Sequence, residues 1–182
     1  IGTRDGLCRY DGKSFTRLSE IAPIHKRTGL VMAVAEDTAG RIWFSSSTGA
    51  GFYDPYTDEA KNMGMIGESM SFDIEADRYG NVWFASESLF RYDTSNQGMH
   101  TYSFPDTQPN MLAVDSMGTL WVMMRDGSVY TYDRLNDVFS KQSPSESIKI
   151  IEPINDGRML VATDKDEVYI LDCMSLRTQL IY

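Results

Sequence analysis

Histidine is among the scarcest residue types in this chain: 182 residues contain only His25 and His100. Most general acid–base and metal chemistry near neutral pH draws on histidine, so this shortage narrows the enzymatic options. Cysteine is equally scarce. Cys8 and Cys173 lie near opposite ends, without a CxxC pair or a neighbouring histidine, which leaves no disulfide framework and no zinc-ligand spacing. They read as two small buried thiols, with a bridge between them as a minority alternative. Basic residues are in deficit, 17 against 26 acidic ones, for a net charge of −9. An acidic surface repels phosphate backbones and anionic lipid, so neither nucleic acid nor direct membrane contact is expected. No apolar run approaches the roughly 20 residues of a membrane helix, and no charged-then-apolar targeting segment opens the chain. The sequence starts at Ile1 without Met, which suggests a processed or excised chain. No window carries a 3.6-residue period long enough for a helix.

What the chain does have is a repeat. Three stretches align directly: 36–44, 76–84 and 114–122. Each places an aspartate (Asp37, Asp77, Asp115), then a glycine (Gly40, Gly80, Gly118), then a tryptophan (Trp43, Trp83, Trp121). The tryptophans fall 40 and 38 residues apart. A weaker copy spans 155–161, with Leu160 in the tryptophan place and Ile154 in place of the turn aspartate. A second marker follows each first one: Tyr10-Asp11, Tyr53-Asp54, Tyr92-Asp93, Tyr132-Asp133 and finally Leu171-Asp172. Two markers sharing one period exclude chance alignment.

Each unit divides in the same way. An apolar run meets an Asp-x-x-Gly turn, where the carboxylate can bond backbone N–H groups two residues on and glycine supplies positive φ. Three further short runs follow, each bounded by turn residues. Four strands in about 40 residues make an antiparallel blade, and successive blades make a β-propeller. The expected fold is therefore all-β, with about four and a half four-stranded blades belonging to a larger ring, for example one of seven. The blade units run over 1–20 (incomplete, lacking an inner strand), 30–64, 70–104, 110–142 and 148–182. The tryptophans are expected to pack between blades. The repeated aspartates and tyrosines are expected to be structural, since every blade needs a turn and only one would need a catalyst.

The opening segment, Ile1-Gly2-Thr3-Arg4-Asp5-Gly6-Leu7-Cys8-Arg9-Tyr10-Asp11, resembles the second half of the two-component-regulator propeller repeat, D-x-x-G-x-L-W-I-G-T-x-x-G-L-x-R-Y-D. Asp37, Gly40, Ile42 and Trp43 match its first half, as do Asp77, Gly80, Val82 and Trp83, and Asp115, Gly118, Leu120 and Trp121. Ser45-Ser46, Ala85-Ser86 and Met123-Met124 replace the Gly-Thr pair. The resemblance covers nearly the whole chain. It implies an extracytoplasmic sensor segment of a hybrid two-component protein of Bacteroides-like bacteria, periplasmic or extracellular and carried by an inner-membrane-anchored parent. In that family an oligosaccharide is the usual input and a histidine kinase, not contained in this chain, the output.

Candidate ligand-binding residues lie in the loops expected at one rim: His25 and Arg27 between the first two units, Ser47, Glu87, Arg125 and Asp164 in the loops between second and third strands. Hydroxyls, carboxylates and arginine suit sugar hydroxyls. Polar residues also fill any hairpin loop, so each has a plain structural alternative. The acidic run at Asp164 lacks the spacing of a calcium loop. No catalytic residue, cofactor or metal is expected. Expected partners are oligosaccharide, the other blades and domains of the parent, and a second copy of the chain. A protein-interaction or dimerisation scaffold is the alternative reading. A streptogramin-lyase-like enzyme is a third, disfavoured by the shortage of histidine.

Overall fold

A computed structural model describes residues 1–21, 29–144, 148–154 and 156–182. The chain forms five antiparallel sheets, one of three strands and four of four. The first is β1 (Gly2–Thr3), β2 (Gly6–Tyr10) and β3 (Phe15–Arg17), followed by a single helical turn, α1 (Leu18–Ile21). The second contains β4 (Val31–Glu36), β5 (Ile42–Ser46), β6 (Gly49–Asp54) and β7 (Glu59–Gly64). The third contains β8 (Asp73–Ala76), β9 (Asn81–Ala85), β10 (Leu89–Asp93) and β11 (Gly98–Tyr102). The fourth contains β12 (Pro109–Val114), β13 (Leu120–Met124), β14 (Val129–Asp133) and β15 (Val138–Gln142). The fifth contains β16 (Ile148–Ile154), β17 (Arg158–Thr163), β18 (Val168–Asp172) and β19 (Thr178–Leu180). Every sheet is a plain meander, each strand pairing with its sequence neighbours.

The chain divides into two compact units, Ile1–Ser103 and Phe104–Tyr182. In the first, the innermost strands lie side by side, β1 against β4 and β4 against β8. In the second, β12 lies against β16. Blades thus stack face to face, and burial follows from that. The second strands β5, β9 and β13 are buried almost throughout, while the fourth strands β7, β11 and β15 are largely exposed. A strand covered on both faces is expected to read as a continuous apolar run, and Leu120–Met124 does.

Trp43 and Trp83 are fully buried, and Trp121 is 2% exposed. Trp43 sits in the layer between second and third blades, 6.2 Å from Phe84 and 5.3 Å from Tyr92 by ring centroids. Trp121 sits in the layer between fourth and fifth blades with Ile151, Met159 and Leu171. Both positions match the inter-blade packing expected from the repeat. In the fifth blade Leu160 pairs with Ile170, in the register that Trp83 holds with Arg91, so it does occupy the tryptophan place. Both cysteines are free thiols, half-buried rather than buried as expected.

Two features depart from expectation. The turn Leu18–Ile21 is helical. Four residues are too few to show a period, and Leu18, 2% exposed, serves as a core plug for the first blade. The fifth blade's first turn has the length of the others but not their aspartate. Pro153 pairs with Met159 as Ala76 pairs with Val82 in the third blade, and Ile154 stands opposite Arg158 where Asp77 stands opposite Asn81. Asp156 and Gly157 carry φ of 68° and 70° in place of the aspartate-bracketed turn.

Candidate functional site

The repeated aspartates are bound up in the blades themselves. Asp37 Oδ1 accepts the backbone N–H groups of Ala39 and Arg41 at 2.9 and 3.1 Å, and Oδ2 accepts Trp43 Nε1–H at 2.7 Å. Asp77 repeats this with Tyr79, Asn81 and Trp83, each at 2.9 Å. Asp115 repeats it with Met117, Thr119 and Trp121 at 2.9, 2.8 and 2.9 Å. Gly40, Gly80 and Gly118 close these turns with φ of 78°, 86° and 83°. One carboxylate thus shapes the turn and satisfies the buried indole N–H, which would otherwise lack a partner. Burial pushes the Asp37 carboxyl up, but the bonds from Trp43, Arg41 and Ala39 outweigh it and hold the group below the usual aspartate range.

The second marker is equally structural. Asp54, Asp93, Asp133 and Asp172 each end the third strand of their sheet, Asp11 directly follows β2, and all five accept backbone N–H groups of the following turn, as Asp11 does from Lys13 and Ser14, both at 2.8 Å. Tyr53 and Tyr132 donate their hydroxyls to Asp58 and Asp137 at 2.6 and 2.5 Å. Both acceptors hold left-handed backbone, with φ of 56° and 55°.

The candidate rim is the end of each blade where the loop between second and third strands meets the connection that enters the first strand. In the second blade, Ser47 N–H donates to Leu30 O at 2.9 Å and Ser47 Oγ accepts Leu30 N–H at 3.1 Å. In the third, Ser86 Oγ donates to Met70 O at 3.0 Å and to Glu87 Oε2 at 2.6 Å. Glu87 Oε1 accepts Glu68 N–H at 2.8 Å. In the fourth, Arg125 N–H donates to Gln108 O at 2.9 Å. In these three blades the two loop classes therefore share one end.

Not every candidate is presented to solvent. Ser47, Arg125 and Asp164 are exposed, and Glu87 is half-buried. Burial pushes the Glu87 carboxyl up, but hydrogen bonds from Ser86 and from the backbone of Glu68 hold it below the usual glutamate range. Its carboxylate clasps the 68–70 connection, a use invisible in the sequence because that connection carries no periodic signal. Ser45 and Ser46 are each 1% exposed, and Ser46 Oγ donates to Gly49 O at 2.7 Å. These two hydroxyls belong to the hairpin interior. His25 and Arg27 lie outside the described residues. His100 is exposed on β11, opposite Arg91. Among the described residues, no three of His, Cys, Asp and Glu converge in a way that could hold a metal ion.

No family model and no curated protein sequence matches the chain. Solved structures do. The WD40 repeats of RRP9 match with a TM-score of 0.72 at 13% identity, over 91% of this chain and 52% of theirs. A chain of the mitotic checkpoint complex matches with a TM-score of 0.67 at 12% identity, over 81% of this chain and 48% of its own. The chain spans about half the length of these solved propellers. At that identity the likeness concerns fold alone, and the fold is that of β-propeller blades.

Proposed function

We propose that this chain is a non-catalytic sensor segment of the periplasmic or extracellular part of a two-component signalling protein. It takes an oligosaccharide at the loop end of its blades and passes the signal to a histidine kinase beyond this chain. The observation that supports the reading is the agreement between repeat and register. The Tyr-Asp marker, or its Leu171-Asp172 counterpart, closes the third strand of each four-stranded blade and the middle strand of the three-stranded first sheet, and in all five it caps the next turn. The motif that carries the resemblance to the two-component-regulator repeat therefore plays one fixed part throughout. Ser47, Arg125 and Asp164 at the exposed loop ends offer the hydroxyl, guanidinium and carboxylate that sugar recognition uses. A sensor must bind its ligand better in one arrangement than in another, and stiff blades of this kind would change at an interface rather than inside a sheet.

The test is a thermal-shift screen of the chain against plant, host and microbial oligosaccharides. A ligand at 100 times its Kd adds about 2.7 kcal/mol of stability, which moves the midpoint by several degrees. Arg125→Ala should remove the shift without lowering the midpoint of the free protein. A well-folded protein that answers to no glycan overturns the reading.

One observation favours a second reading, in which the chain pairs with another copy. The first sheet has three strands where its neighbours have four. Beside it lies a cleft of about 590 Å³ lined by Leu7, Val34, Ile42 and Tyr53, with Val34 43% exposed. Light scattering across a concentration series separates the readings: a dimer at micromolar concentration supports the scaffold.

A further inference from the structure

The three tryptophan turns are built alike, but they differ in what covers the indole. In the second blade Arg41, two residues before Trp43, places Nε 2.7 Å from Asp37 Oδ2 and its guanidinium carbon 5.6 Å from the Trp43 ring centre and 5.2 Å from Phe52. In the third blade Asn81 holds the corresponding position and donates to Asp77 Oδ2 at 2.8 Å. The cation there comes from Arg91, which pairs across from Trp83 and lies 5.6 Å from its ring. Each of these carboxylates accepts two donors on Oδ2, and each indole has a guanidinium over it.

The fourth blade has the carboxylate and the indole without the cation. Thr119 stands where Arg41 and Asn81 stand, and Thr131 pairs with Trp121 where Arg91 pairs with Trp83. Among the described residues, Asp115 Oδ2 accepts the Trp121 indole and nothing more. Asp115 is 6% exposed and accepts three hydrogen bonds, one fewer than Asp37 or Asp77, so its carboxylate keeps room for one more donor on Oδ2. The two threonines leave an opening of about 550 Å³ that reaches Asp115 and Trp121 and is bounded on the fifth blade by Asp156 and Asp172. Burial, together with the Asp115 and Asp172 carboxylates, pushes the Cys173 thiol at its wall up to about 12. Carboxylates thus face the cleft from both blades, with the Arg158 guanidinium 3.8 Å from Asp156 at its outer side.

We propose that this cleft is a binding site for a guanidinium group, an arginine side chain carried by a partner peptide, which takes over Trp121 and Asp115 the place that Arg41 holds over Trp43 and Asp37. A planar guanidinium can stack on an indole and donate sideways to a carboxylate at once, which a compact ammonium does less well. The site lies at the Asp-x-x-Gly end of the blades, the end away from the hairpin rim, so the oligosaccharide reading can fail without touching it.

The experiment is a titration of the ¹⁵N-labelled chain with N-acetyl-arginine methylamide, followed on the three tryptophan indole N–H signals, with the citrulline and lysine counterparts as controls. The arginine compound should shift the Trp121 signal saturably, and the neutral citrulline compound should not. The Thr119→Arg variant fills the cleft with the protein's own guanidinium and should weaken probe binding by at least about tenfold. Met174 is 90% exposed beside the cleft, so Met174→Arg sets a like charge at its mouth without disturbing the core. It should weaken binding even if Thr119→Arg fails to fold. A Trp121 signal that does not move, that moves equally with citrulline or lysine, or that responds undiminished in both variants overturns the proposal.

Discussion

Trp43 holds its blade in two separable ways, by filling the layer between blades and by donating to Asp37. Two substitutions divide these contributions. Trp43→Phe keeps an aromatic ring against Phe84 and Tyr92 but leaves Asp37 Oδ2 without its indole donor, a loss of about 1–3 kcal/mol. Trp43→Ala removes the ring as well and should cost about 3–5 kcal/mol. Urea denaturation of both variants measures the difference. Equal losses would mean that the hydrogen bond, and not the packing, carries the residue. These contacts were legible in the sequence because they are local: the aspartate meets backbone two and four residues on and the indole six residues on, so every term recurs at fixed spacing. Glu87 was legible as a polar loop residue but not as a clasp, because its partner is the backbone of Glu68, which no spacing announces.

At the scale of the element, the tight hairpin between β5 and β6 shows how much a sheet leans on one backbone angle. Ser46 pairs with Gly49 across a two-residue loop, and Gly49 has φ of 125°. A Cβ there would run into the Gly64 carbonyl on β7. Gly49→Ala meets both strain and backbone collision, and the expected loss is about 1–3 kcal/mol, read as a lower denaturation midpoint. An unchanged midpoint would mean that β7 yields at that point. The number and order of strands followed from the repeat, since turn residues recur every few positions. The helical turn Leu18–Ile21 did not, since one turn has no period to detect and its reason for forming is the burial of Leu18. The cleft over Trp121 was hidden for a related reason: Thr119 and Thr131 are unremarkable alone and become informative only beside Arg41 and Arg91 in the same register.

At the scale of the whole chain, the excess of acid over base is used in the turns. Hydrogen bonds from serine and backbone N–H groups hold Asp93, Asp126 and Asp172 below the ordinary aspartate value, the backbone of Ser14 and Lys13 lowers Asp11, and the Asn136 amide and the Leu135 N–H lower Asp133. Asp37 and Glu87 are lowered despite their burial. A group whose pKa is lower folded than unfolded stabilises the fold fully above its unfolded value, near about 4 for these carboxylates, and that contribution is lost as pH falls through the folded value. All seven shifts point one way, so stability should be flat from neutral pH to about 5 and fall steeply below about 4. Loss of net negative charge acts in the opposite direction by relieving repulsion, but that term is long-ranged and weakens with salt. The turn bonds are short-ranged and persist in salt. Thermal midpoints between pH 7 and 3, taken at low and high salt, separate the two. A fall below pH 4 that survives high salt identifies the capped aspartates as the groups that keep the blades folded. A midpoint that rises on acidification would mean that charge repulsion outweighs them.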